Sequence, residues 1–362
     1  MIMFLCLPFH LGADEIIFDF TSRVRDNPFK SGESRKKDET TLPPCPEYEL
    51  PGSDIRLGEF YTSLQSGDFE FRLGRQKHHT GTGFAWNPSD VFNTRKIWDP
   101  SYDRRKGLDS AYLSYSFGEE YEISTFYSFE TFLNKNESES DAGNYQVRMK
   151  THTDVLDLAI HYSEAKQNST DYEGLLSGEK LPGEAVVPVR YRLVGAGLSS
   201  EIGRLGVHAE GGYAWLTLGD DADQSFEEQI AKEYSSFLVG IDYVFENHLY
   251  LILEYYQEGR GKTSPDEYTL NERLAYIFNE RNAIGRDNVF VGAKYPIAKM
   301  TSLEFYNIIN ANDPSLILNP WIVWNAGDDM IIKFSARFPV GKEDSSLGNS
   351  HPSAFAHIQL NF

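Results

Sequence analysis

Three stretches of the chain carry the residue types of chemistry without its spacing. His78-His79, followed by Thr80-Gly81-Thr82-Gly83, sets two imidazoles side by side. Neighbours on an extended chain point apart, however, and no third ligand stands at chelate spacing, so no metal site is expected. Gly259-Arg260-Gly261-Lys262-Thr263 ends like a phosphate loop, but Tyr256 occupies the place of that loop's first glycine. Asp220, Asp221, Asp223, Glu227 and Glu228 could draw Ca²⁺ or Mg²⁺; a solvated acidic loop explains them more simply. No nucleophile, base and orienting acid can be grouped, so neither an enzyme nor a cofactor is expected.

The larger set of charges is distributed differently. Arg72, Arg148, Arg190, Arg192 and Arg337 form a basic group, and Glu210, Asp242, Glu254 and Glu304 an acidic one. Each lies in a segment whose alternate residues are apolar. In 248–258, Leu249, Leu251, Leu253 and Tyr255 fall on one face and Glu254 and Glu258 on the other. In 329–339, Met330, Ile332, Phe334, Ala336 and Phe338 oppose Lys333, Ser335 and Arg337. Period-two alternation is the pattern of strands with one greasy face. If those faces meet lipid, the charges line a lumen, with a basic wall partly opposite an acidic one, because charge facing hydrocarbon is costly. Paired charges bracing the interior would give the same pattern.

The elements that must position these charges are strands from one end to the other. The alternation predicts them at 16–20, 55–64, 68–76, 109–117, 121–130, 144–151, 154–163, 189–200, 204–218, 232–245, 248–258, 288–297, 301–310, 315–325, 329–338 and 353–362. Short joints such as Gln65-Ser66-Gly67, Glu201-Ile202-Gly203 and Glu246-Asn247 alternate with long polar excursions around 77–108, 131–143, 164–188, 219–231, 259–287 and 339–352. A β-sandwich has no reason to keep every second connection minimal. The expected fold is therefore all-β: a transmembrane up-and-down antiparallel barrel of about sixteen strands, within a range of fourteen to eighteen, spanning 14–362. Pro320 makes 315–325 its weakest strand.

Composition agrees. The 362 residues carry 34 Lys+Arg against 54 Asp+Glu, a net charge of -20, which excludes the basic footprint of a nucleic-acid binder. Aromatics reach 14%, against disorder. Cys6 and Cys45 are the only cysteines, too few for a disulfide framework. The apolar run Met1 to Phe9 is far short of a spanning helix. With Leu11-Gly12-Ala13 after it, it reads as a truncated signal peptide over 1–13.

The most distinctive segment is Gly74-Arg75-Gln76 and the loop after it, with Lys77, Trp86-Asn87-Pro88-Ser89-Asp90, Phe92, Arg95, Lys96, Trp98, Asp99, Asp103, Arg104, Arg105 and Lys106. Six cations against three carboxylates make the loop after Gln76 +3 in a chain of -20. Its length and its rings predict that 77–108 folds inward as a constriction. There Arg75, Arg95, Arg104 and Arg105 would meet an anion, unless the arginines clamp Asp90 and its neighbours instead. This segment, and the closing strand with Ala354, Ala356, Ile358, Leu360 and Phe362 outward, resemble bacterial outer-membrane porin-like barrels of the alginate-export type. The resemblance implies an outer-membrane location. It also implies lipid and lipopolysaccharide as surroundings, recognition of the Phe362 strand by the barrel-assembly machinery, and an arrangement that admits a homo-oligomer. It leaves two functional classes: a channel for small hydrophilic solutes, anions among them, or a surface enzyme or adhesin on a plugged barrel.

Overall fold

The computed structural model describes residues 9–18, 55–92, 107–129, 143–181, 185–219, 231–277, 280–327, 330–348 and 351–360, with side chains from Glu59 to Ile358. The strands are β1 (Phe9–Phe18), β2 (Ile55–Ser66), β3 (Phe69–Gln76), β4 (Leu108–Phe117), β5 (Tyr121–Ser128), β6 (Tyr145–His152), β7 (Asp157–Thr170), β8 (Val186–Ile202) and β9 (Leu205–Leu218). They continue with β10 (Glu233–Val244), β11 (Tyr250–Gln257), β12 (Asp287–Ala298), β13 (Thr301–Asn310), β14 (Ser315–Leu318), β15 (Pro320–Asn325), β16 (Met330–Val340) and β17 (Ser353–Leu360). Neighbours in sequence pair antiparallel from β1 to β13. β14 and β15 both lie between β13 and β16. They are one strand interrupted at Asn319, because Pro320 has no N–H to continue the ladder. Seventeen segments less that one break give sixteen antiparallel strands in one sheet. β17 pairs with β16 and returns alongside β1, so the sheet closes into a barrel.

The two faces of this sheet are reversed relative to a water-soluble protein. Leu113, Ile123, Met149, Val239, Leu253, Phe305, Phe334 and Ile358 are exposed, Leu253 at 47% and Phe334 at 50%. Ser110, Ser114, Ser124, Ser128, Gln146, Ser163, Ser236 and Ser335 are buried. Scattered exposed apolar residues are ordinary; an apolar outer surface on nearly every strand, with hydroxyls and amides inside, is not. Residue parity produces it, since side chains i and i+2 share a face. Leu251, Leu253, Phe334 and Ile358 stand outward as the alternation predicts, while Leu249 and Ile332 are half-buried.

Most strands fall within a residue or two of their predicted limits, with three departures. β1 covers Phe9–Phe18 rather than 16–20, with register irregularities on either side of Glu15; its first residues coincide with the segment expected to be a leader. β7 runs on to Thr170, which shortens the following connection. The third is a correction. On β8 the odd residues Val187, Val189, Tyr191 and Leu193 are buried and the even ones face out, so Arg190 and Arg192 stand on the outer surface, not in the lumen.

If the apolar belt lies in lipid, Leu251→Arg should destabilise the barrel by about 2–4 kcal/mol near the bilayer midplane. Denaturant titration in phospholipid vesicles measures it, and a cost near zero would place Leu251 outside the hydrocarbon.

Candidate functional site

The lumen is organised around two inward carboxylates, one on β9 and one on β11. Glu210 is 3% exposed and Glu254 0%, a burial that a carboxylate tolerates only when its oxygens are fully hydrogen-bonded. Their partners come from the segment after β3. Thr82 N and Ser89 N donate to Glu210 at 2.6 and 2.8 Å, and Ser89 Oγ at 2.7 Å. Ala85 N donates to Glu254 at 2.7 Å, as does Phe84 N. His208 Nε2 lies 2.7 Å from the same carboxylate. The chain from 82 to 89 has no ladder of its own, so these oxygens supply the acceptors its amides need.

Glycine makes the floor beneath it. A Cβ on Gly195 would stand 2.6 Å from the Cβ of Ser89 and from the His161 ring, and one on Gly212 would stand 3.1 Å from Pro88 O. Glycine at 195 is what lets the segment lie on β8, and at 212 a side chain would force Pro88 to shift slightly off β9. His161 Nε2 then donates to Ser89 O at 2.9 Å, and Gln167 Nε2 to Val91 O at 3.3 Å.

Rings lock the segment across the barrel. Trp86, 2% exposed, stacks on Tyr256 at 5.0 Å and 18°. Phe84 lies 5.5 Å from Phe290 and 5.7 Å from Tyr306. His78 stacks on Phe126 at 4.0 Å and 8°. Two further connections enter the same cluster: Tyr268, Tyr276, Ala283 and Ile284 from 258–286, and Leu347 from 341–348. The short helix Tyr172–Ser177 lies near the helix Leu270–Ile277, and Thr170 and Tyr172 hydroxyls donate to Glu280 at 2.8 and 2.7 Å. The long-connection end is thus narrowed from several sides. At the tight-turn end, beneath Phe84, a cavity of about 510 Å³ remains, lined by Tyr250, Lys294, Glu304, Tyr306, Trp321 and Lys333 among others.

The other candidate residues divide by what they touch. Arg72 faces inward, 2.6 Å from Glu70 and over the rings of Tyr61 and Tyr112. Arg75 is buried against Asp109 at 3.2 Å, and Lys77 Nζ lies 3.7 Å from Glu59, so these two brace the base of the segment. Asp90 is buried against His79 Nδ1 at 2.8 Å. Arg148 and Arg337 lie on inward positions of β6 and β16, each with a buried Nε that no acceptor meets. Arg95, Arg104 and Arg105 lie outside the described residues. The acidic wall needs correction: Glu210 and Glu254 are tethers, and Glu304, 5% exposed, is held by Ser302 Oγ at 2.9 Å, Tyr306 OH at 2.6 Å and Lys294 Nζ at 3.2 Å. Only Asp242, 4.0 Å from His208 Nδ1, keeps a partly open side chain. Gln146 and His161 escaped prediction, although inward parity on their strands was a signal, and nothing local named the partners of Ser89 or His208.

His78 is the group in this segment with a clear pH handle. Burial between Phe126 and Gln146 pushes its imidazole down to about 4, against the hydrogen bond to Gln146 Oε1, at 2.8 Å, and the charge of Asp90. A folded pKa below the unfolded one means that the contribution to docking is complete above about 6.5 and is lost as pH falls through about 4. Amide protection factors over 77–92, corrected for the intrinsic pH dependence of exchange, should therefore fall across that window, and His78→Phe should flatten the response. Separately, Glu254→Gln sets an NH₂ against donors, and should speed exchange at Phe84 and Ala85 about tenfold or more at neutral pH; unchanged protection would show that the carboxylate is not the tether.

No protein-family model and no curated protein matches the chain. Solved structures do. A double mutant of the Rhodopseudomonas blastica porin is similar over 98% of this chain and 100% of its own, at 10% identity and a TM-score of 0.43. OmpT in trimer form, an outer-membrane protein of Vibrio cholerae, is similar over 85% of this chain and 82% of its own, at 8% identity and a TM-score of 0.43.

Proposed function

We propose that the chain is an outer-membrane channel through which small hydrophilic solutes, anions among them, pass. One observation carries the reading: a closed barrel with an apolar outside and a polar inside, narrowed by a segment whose amides are tied to Glu210 and Glu254. A lipid solvent explains the outside, because every backbone group of a closed sheet is paired and hydrocarbon requires that. A hydrated passage explains why charge is retained inside. Arg72, Arg148 and Arg337 lie at inward positions of β3, β6 and β16, and their charges would raise the local concentration of anions in a narrow low-dielectric passage. In this proposal Arg95, Arg104 and Arg105 belong to the same constriction, and the β17 end is read by the assembly machinery.

The ring cluster built by three connections favours a second reading, a plugged barrel that supports surface loops. Planar-bilayer recording decides. The channel gives discrete conductance steps, and replacing Arg72, Arg104 and Arg105 by Ala shifts its reversal potential toward cations under a salt gradient. A folded barrel that passes no current is a plugged support, and unaltered ion preference in the triple variant removes these arginines from the path.

A further inference from the structure

The outward arginines of β8 belong to a different surface. On β8 the outward residues Val194, Ala196 and Leu198 end the apolar belt, and the nine residues 194–202 already suffice to cross a hydrocarbon core. Arg192 and Arg190 come next, toward the long-connection end. Register puts Glu164 opposite Arg192 and Lys166 opposite Arg190, with all four side chains on the outer face. Like charges directly opposite on one face destabilise a strand pair, so Lys166 beside Arg190 is a costly arrangement for the barrel by itself.

One carboxylate organises the cluster. Glu164 lies 2.9 Å from Arg190 NH1 and 3.4 Å from Arg192 Nε, and it accepts from Tyr145 OH at 2.9 Å and Tyr162 OH at 3.2 Å. Its charge offsets one of three cations. The next outward acid, Glu233, is engaged by Tyr213 OH at 2.6 Å. Tyr145 and Trp215 flank the cluster in the register of Arg192, and Tyr162 and Tyr213 follow one outward position toward the tight turns, with ring separations Tyr145–Tyr162–Trp215–Tyr213 of 6.0, 6.2 and 5.9 Å. Tyr and Trp collect where hydrocarbon meets headgroups. The guanidiniums are thus held at that boundary, Arg190 one outward position beyond Trp215 and Arg192 level with it, and their side chains keep 49% and 33% exposure.

We infer that Lys166, Arg190 and Arg192, aligned by Glu164, form a site for the phosphate of an anionic lipid headgroup on the leaflet facing the long connections. Guanidinium pairs bind phosphate oxygens through parallel N–H donors, and such an anion relieves the Lys166–Arg190 repulsion. The inference rests on the membrane placement proposed above, but not on conduction.

The test uses the full chain in phosphatidylcholine vesicles and measures, by electron spin resonance, the association of spin-labelled phosphatidic acid relative to spin-labelled phosphatidylcholine. The wild type should select phosphatidic acid, and Arg190→Gln and Arg192→Gln should each weaken that selection about fivefold. Added inorganic phosphate should not compete, since it lacks the acyl chains that place the headgroup. Absence of selection in the wild type, or full selection in the double variant, overturns the site. So does a change of oligomeric state in the double variant by light scattering, which would make the patch a subunit contact. Conductance read on the same samples should be equal in wild type and variants; a current-free wild type that still selects phosphatidic acid ends the channel proposal alone.

Discussion

Two buried carboxylates hold the interior of this barrel together. Glu210 and Glu254 stand on strands separated by β10, and between them accept the amides of Thr82, Phe84, Ala85 and Ser89. An isolated carboxylate in a dry interior costs several kcal/mol, and an irregular segment buried without acceptors costs as much for each amide. Each solves the other's problem. The glycines at 195 and 212, the stacking of Trp86 on Tyr256 and the His161 bond to Ser89 hold the segment in the same place.

In the proposed lipid setting, apolar side chains on the outer face gain nothing from each other, and the barrel's cohesion comes from the ladders between neighbouring strands, with β17 returning alongside β1. Closure removes the sheet edges that would otherwise recruit other chains. The interior, relieved of the need to be a hydrophobic core, can carry hydroxyls, amides and ion pairs, and can be shaped by connections that turn inward. Those connections meet one another: Thr170 and Tyr172 on one side grip Glu280 on the other, and Asn271 accepts from Glu173 N at 2.9 Å. The mouth is thereby narrowed by contacts among loops as well as by the barrel wall.

The positions that misled sequence reasoning share a cause. Alternation assigns polar residues to the lumen only while the opposite face is in hydrocarbon. In the proposed membrane placement, Arg190 and Arg192 lie beyond that band on a strand of 17 residues, where outward charge is cheap and the rule lapses. Glu210, Glu254 and Glu304 do face inward, as braced groups in place of an open wall, an alternative that parity leaves open because it reports direction and says nothing of what arrives from elsewhere in the chain.

What the sequence determined by itself is the part governed by local periodicity. Strand number, antiparallel order, the alternation of tight and long joints, the outward row of Leu251, Leu253, Phe334 and Ile358, and the weakness at Pro320 follow from side-chain period and from proline's missing N–H. Tertiary structure decided the rest. Ser89 and Glu210 are 121 residues apart, and Ala85 and Glu254 are 169 apart. No pattern within a strand encodes such a pairing, since it depends on which inward positions face one another once sixteen strands have closed and on where glycine leaves room between them.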